Sequence, residues 1–131
     1  MNEEQRRYTR VPFLRKARIQ CDEQLLGVYC LQLSLHGLLL TQPEQPLIWQ
    51  PDQRLDVELL LTDQQCIRME CRLVHLCDEV LGCCIERLGL EDLARLFRVL
   101  SFNLPDRCAV DAELRQRIDE NRRHAWVMTS H

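Results

Sequence analysis

Two short segments of this 131-residue chain carry side chains suited to holding an anionic, hydrogen-bonding ligand. The first is Arg6-Arg7-Tyr8-Thr9-Arg10, and the second is Gln32-Leu33-Ser34-Leu35-His36-Gly37. Arginine presents a planar fork of donors that meets a phosphate, or the O6/N7 edge of guanine, through two parallel hydrogen bonds. In the second segment strand periodicity places Gln32 and Ser34 on one face, a polar pair, while Leu31, Leu33 and Leu35 point into a core. Gly37 is expected to let the chain turn tightly there. Together these residues describe binding rather than catalysis. No Ser-His-Asp arrangement, paired-carboxylate motif or Gly-rich phosphate loop is present, so the chain is expected not to be an enzyme and to have no catalytic residues.

Total charge conceals this chemistry. The formal net charge is −3, which taken whole argues against a phosphate ligand. Residues 1–18, however, carry six basic side chains against Glu3 and Glu4, and the remainder carries 11 basic and 18 acidic ones. A basic arm is attached to an acidic body. Lys16 is the only lysine, so nearly all of the positive charge is arginine. A general DNA or RNA binder would show a wider basic surface with interleaved aromatics, and aromatic content here is 5%.

The elements that position these residues are short strands. Leu55, Val57, Leu59 and Leu61 alternate with Asp56 and Glu58, and Ile67, Met69, Cys71 and Leu73 alternate with Arg68, Glu70 and Arg72. The polar run Thr62-Asp63-Gln64-Gln65 joins these two as a hairpin. Residues 12–21, 27–34, 38–41 and 80–88 complete about six strands at the spacing of a barrel or sandwich. Gln42–Asp52, with three prolines, is the longest loop. From Leu90 the apolar positions 90, 93, 96, 97 and 100 trace one helix face, ended by Pro105. A second helix, capped by Asp111, has only the narrow stripe Val110, Leu114 and Ile118, and is expected to pack weakly or on a partner.

Eight cysteines raise the question of disulfides or metal. No signal peptide is read at the acidic N-terminus, and no apolar run approaches the ~20 residues of a membrane span. No cysteine pair has C-x2-C spacing, and Cys83 and Cys84 are neighbours whose side chains diverge in a strand. Reduced thiols in and near the core of a cytoplasmic protein, without a metal site, are expected.

The two ligand-binding segments resemble the signature of the PilZ domain, a bacterial receptor family for cyclic di-GMP. Arg6 and Arg10 match its R-x-x-x-R motif, with Arg7 as an additional arginine inside it, and Ser34 and Gly37 match its D/N-x-S-x-x-G motif. Gly82, Ile85 and Leu88 are similar to positions of the family's last barrel strand. The resemblance implies a mainly β fold: a six-stranded antiparallel β-barrel, with one or two C-terminal helices. The division implied is an arm at 1–11, the barrel with its helix at 12–104, and a helical extension at 105–131. It further implies that Arg6, Arg7, Arg10, Gln32, Ser34 and Gly37 bind cyclic di-GMP, with His75 where some members carry an aromatic that stacks on guanine. No other cofactor is implied.

Gln32 departs from the motif. It is neutral and one methylene longer than Asn, so it cannot pair ionically with a motif arginine. The loss of one such bond costs about 1–3 kcal/mol, a tenfold to hundredfold weakening. The expected function is thus a cyclic di-GMP receptor that signals to an unidentified protein partner, without membrane insertion. The alternative is a PilZ-like scaffold that has lost the nucleotide and acts through protein contacts. His36, Trp49 and Trp126 are expected to have structural roles or none.

Overall fold

The computed structural model describes residues 10–45, 47–62, 64–77, 79–103 and 112–119. Arg6, Arg7, Pro105, Val110, Asp111 and Trp126, all singled out in the sequence, lie outside the described residues. Six strands come first: β1 (Val11–Cys21), β2 (Gln24–Leu33), β3 (Gly37–Thr41), β4 (Arg54–Leu60), β5 (Cys66–Leu76) and β6 (Val80–Arg87). The helix α1 (Leu90–Asn103) follows, and residues 112–119 are also helical. The strands pair antiparallel throughout, in the order β1-β2-β3-β6-β5-β4, and β4 closes on β1. The expected six-stranded barrel is therefore the observed fold.

The alternation read in the sequence produces the interior. Ala17 and Ile19 of β1, Leu55, Val57 and Leu59 of β4, and Ile67, Met69 and Cys71 of β5 all point inward and are buried. β6 adds Leu81, Cys83 and Ile85, and α1 adds Leu93, Leu96 and Leu100 to the same cluster. Complete burial of each large aliphatic side chain contributes about 1.5–3 kcal/mol. Cys83 and Cys84 do diverge, the first into the core and the second outward.

Two of the places where the strands are irregular matter for the site. In β2, Leu26, Val28 and Cys30 face inward, yet the next buried residue is Leu33. The register against β3 slips between Cys30 and Gln32, an irregularity of the β-bulge kind. Leu31 is consequently only half-buried, in contrast to the sequence expectation, while Leu33 and Leu35 are fully buried. In β5 the register against β6 slips between Leu73 and His75. Val74, His75 and Leu76 are all exposed, whereas the 67-69-71-73 phase would have carried His75 inward.

The helical segment 112–119 corrects another expectation. It packs on this chain: Leu114 and Ile118 lie against the core cluster, and Arg117 is only 4% exposed. Arg117 Nη2 donates to the carbonyl of Ile85 at 2.8 Å. A narrow apolar stripe is sufficient here because a buried guanidinium bonds directly to a strand backbone. Between α1 and this segment runs an apolar groove lined by Leu90, Phe97, Phe102, Leu114 and Ile118. No helix among the described residues is long and apolar enough to cross a membrane.

Candidate functional site

The β2–β3 connection is a four-residue turn, Ser34–Gly37, built around one hydroxyl. Ser34 Oγ accepts from the amides of His36 at 3.1 Å and Gly37 at 3.0 Å, and it donates to the Gly37 carbonyl at 3.2 Å. The Ser34 amide donates to the same carbonyl at 2.9 Å. Serine closes such turns because its short hydroxyl reaches amides two and three residues ahead. Ser34 is buried, so the open Gln32–Ser34 polar face expected from strand periodicity is not formed. Its hydroxyl is committed to the turn.

Gly37 has a different reason from the one the sequence implied. No glycine among the described residues has positive φ. A Cβ at Gly37 would instead collide with the carbonyl oxygen of Cys83 on β6. The register pairs Gly37 with Cys84, and the Ile85 amide donates to the His36 carbonyl at 2.7 Å. Close approach of the turn to β6 therefore demands glycine. Gly82 makes room in a similar way, since a Cβ there would stand 2.9 Å from the Cβ of His75.

These elements enclose a hollow of about 620 Å³. Of the residues expected to bind ligand, Arg10, Gln32, Ser34, Gly37 and His75 all line it. The two bulges account for Gln32 and His75 facing outward into the hollow rather than into the core. Residues the sequence did not single out as ligands line it as well: His36, Arg72, Gly82 and Cys84. The fold brings them in by register, for Arg72 pairs with Cys84 and His75 with Gly82. Nothing in the local sequence marks Arg72, one of several charged residues alternating along β5.

The electrostatics of the lining differ from those of the whole chain. Two arginines and two histidines line the hollow, with no carboxylate among the described lining residues. Arg72 bonds through Nε to Glu86 Oε2 at 2.9 Å and through Nη1 to Asp52 Oδ1 at 3.0 Å. These bonds, Glu86 first, push its already high pKa further up, so it stays cationic. His36 Nε2 lies 3.6 Å from the Cys84 sulfur, and His75 Nε2 lies 2.9 Å from the Cys77 sulfur. Such a hollow can take an anion with flat, hydrogen-bonding groups.

Arg15 and Arg18 of β1 are not among the residues that line it. Arg15 donates to the Leu14 carbonyl and stacks 5.1 Å from the Phe13 ring centroid, and Arg18 pairs with Glu58. Trp49 is a packing residue, its Nε1 donating to Gln42 Oε1. The seven described cysteines are all free thiols, and no group of three metal-ligating side chains occurs among the described residues.

A family model for the PilZ domain matches residues 4–102. Among solved structures, the chain is similar to the Bacillus subtilis inhibitor of motility MotI/DgrA, with a TM-score of 0.62 and 15% identity over 70% of this chain and 47% of that one. It is similar to Escherichia coli YcgR in complex with c-di-GMP, with a TM-score of 0.60 and 15% identity over 87% of this chain and 49% of that one. The PilZ domain of YcgR with c-di-GMP matches at a TM-score of 0.59 and 16% identity, over 86% of this chain and 96% of that domain. The chain thus spans about half the length of MotI/DgrA and of the longer YcgR chain. At these identities the shared property is the barrel.

Proposed function

Because the chain belongs to the PilZ domain family, we propose that it is a non-enzymatic receptor for cyclic di-GMP, acting in the cytoplasm. The observation that carries this reading is the hollow lined by Arg10, Arg72, His36 and His75, with no carboxylate among its described lining residues, on an otherwise acidic chain. Cyclic di-GMP offers two phosphodiester anions and two guanine edges, the partners that arginine forks fit. Arg6, Arg7 and Arg10 hold phosphates and guanine edges, Gln32 accepts a hydrogen bond, and His75 stacks on a base. Ser34 and Gly37 act by fixing the turn that forms one wall. Each charge-assisted bond contributes roughly 1.5–3 kcal/mol, so the paired bonds of three arginine forks reach the ~8 kcal/mol of micromolar affinity.

Binding would draw residues 5–11 over the hollow and neutralise their charge, altering the surface that a partner protein meets. That two related structures hold c-di-GMP supports the choice of ligand. The test is calorimetric titration with cyclic di-GMP of the wild type beside Arg10→Ala. Micromolar binding by the wild type and at least tenfold weaker binding by the variant are expected. Absent binding in both would leave a scaffold that works by protein contacts. Hydrogen exchange supplies a second reading: amides of 5–11 should gain protection on ligand addition.

A further inference from the structure

We infer that Arg72 contacts the ligand, donating from its guanidinium to a phosphate oxygen as a further anion clamp outside both sequence motifs. This inference rests on the receptor reading above. Arg10 stands at the entry to β1 and Arg72 on β5, two strands that do not pair in the barrel, yet both side chains line the same hollow. A dianionic ligand held by both is therefore gripped from separate parts of the sheet.

Two features set Arg72 apart from a surface arginine. Its Nε and Nη1 are fixed by Glu86 and Asp52, while Nη2 makes no hydrogen bond among the described residues. A guanidinium already held in place loses little further freedom when a ligand arrives. Its two carboxylates are unequal, the Asp52 side chain being 72% exposed and that of Glu86 34%. A phosphate can displace the solvent-facing Asp52 and leave Glu86 as the anchor.

The decisive comparison measures cyclic di-GMP affinity and thermal stability for wild type, Arg72→Met, Arg72→Lys, Arg10→Ala and Arg68→Met. Arg68, on the same strand as Arg72, pairs with Glu58 of β4 and does not line the hollow, so it reports the effect of losing a surface ion pair alone. Arg72→Met should bind at least tenfold more weakly and show a shallower dependence of affinity on salt. Arg72→Lys should recover part of the loss, and Arg68→Met should bind like wild type. Wild-type affinity and salt dependence in Arg72→Met would overturn the inference. So would affinity losses in Arg72→Met and Arg68→Met that merely track their losses of melting temperature. A weakened Arg10→Ala beside an unaffected Arg72→Met refutes Arg72 alone, whereas a wild type that binds nothing refutes the receptor reading and this inference with it.

Discussion

Gln32 lines the hollow at the place where the motif ordinarily offers Asp or Asn, so the charge on one acceptor is missing from a site otherwise rich in donors. Under the receptor reading Gln32→Asp should tighten cyclic di-GMP binding about tenfold to hundredfold, the worth of one bond made charge-assisted. Calorimetry giving equal affinities for the two proteins would remove Gln32 from the site. Gly37 poses a different question at the same scale. Its importance was legible in the sequence, but its reason was not: a turn was implied, and the constraint is contact with the Cys83 carbonyl across β3 and β6. Gly37→Ala should therefore destabilise by about 1–3 kcal/mol through overpacking. Denaturant midpoints compare the two proteins, and an unchanged midpoint would mean that β6 can yield without cost. A one-dimensional string shows that a glycine follows a serine by three residues. It cannot show which strand will lie beneath it.

Elements came through the sequence well where alternation was unbroken. β4 and β5 have the inward residues expected, and of the expected α1 face Leu93, Leu96 and Leu100 are buried while Leu90, at the first turn, is exposed. Phase was lost at the bulges, because an added residue leaves composition intact and changes only which face each later side chain occupies. Leu31 and His75 were affected in this way, and His75 owes its place in the hollow to the slip after Leu73. The packing of the helical segment 112–119 is hidden in the sequence for a related reason. Its apolar stripe is narrow, and its attachment depends on Arg117, a residue type ordinarily assigned to solvent. Arg117→Met removes the donor to the Ile85 carbonyl and should cost about 1–3 kcal/mol. Hydrogen exchange should then show the amides of 112–119 losing protection while those of β4 and β5 keep theirs. Uniform loss across the barrel would mean that the segment and the barrel open as one unit.

At the scale of the whole molecule, the thiols make the interior sensitive to alkaline pH. Burial pushes the Cys30 and Cys83 thiols from an ordinary value of 9.0 up to about 12. Above pH 9 the unfolded chain releases these protons while the folded chain retains them. The stability they contribute is thus complete below pH 9 and declines as pH rises toward 12. Each thiol adds a slope of about 1.4 kcal/mol per pH unit within that window. Denaturant titrations at pH 8 and pH 10.5 should show the loss, reduced in Cys30→Ala/Cys83→Ala; equal stability at both pH values for the wild type would contradict it. Exposed Cys77 should be the described thiol that reacts most readily with a maleimide in the native state.

By itself the sequence determined the class of fold and the chemistry of its binding segments. Period-two alternation is written in residue order, and so is the grouping of arginines ahead of the first strand. Charge has to be partitioned along the chain before it informs: the total of −3 joins a basic arm to an acidic body. Only the tertiary structure decided which side chains share the hollow. Arg72, His36 and Cys84 meet there because closure of β6 between β3 and β5 sets their register, and Gln32 and His75 face it because bulges shift their phase. Strand pairing is a contact between residues distant in sequence, and a bulge forms where those contacts require it. Neither quantity is local, so neither can be read from spacing along the chain.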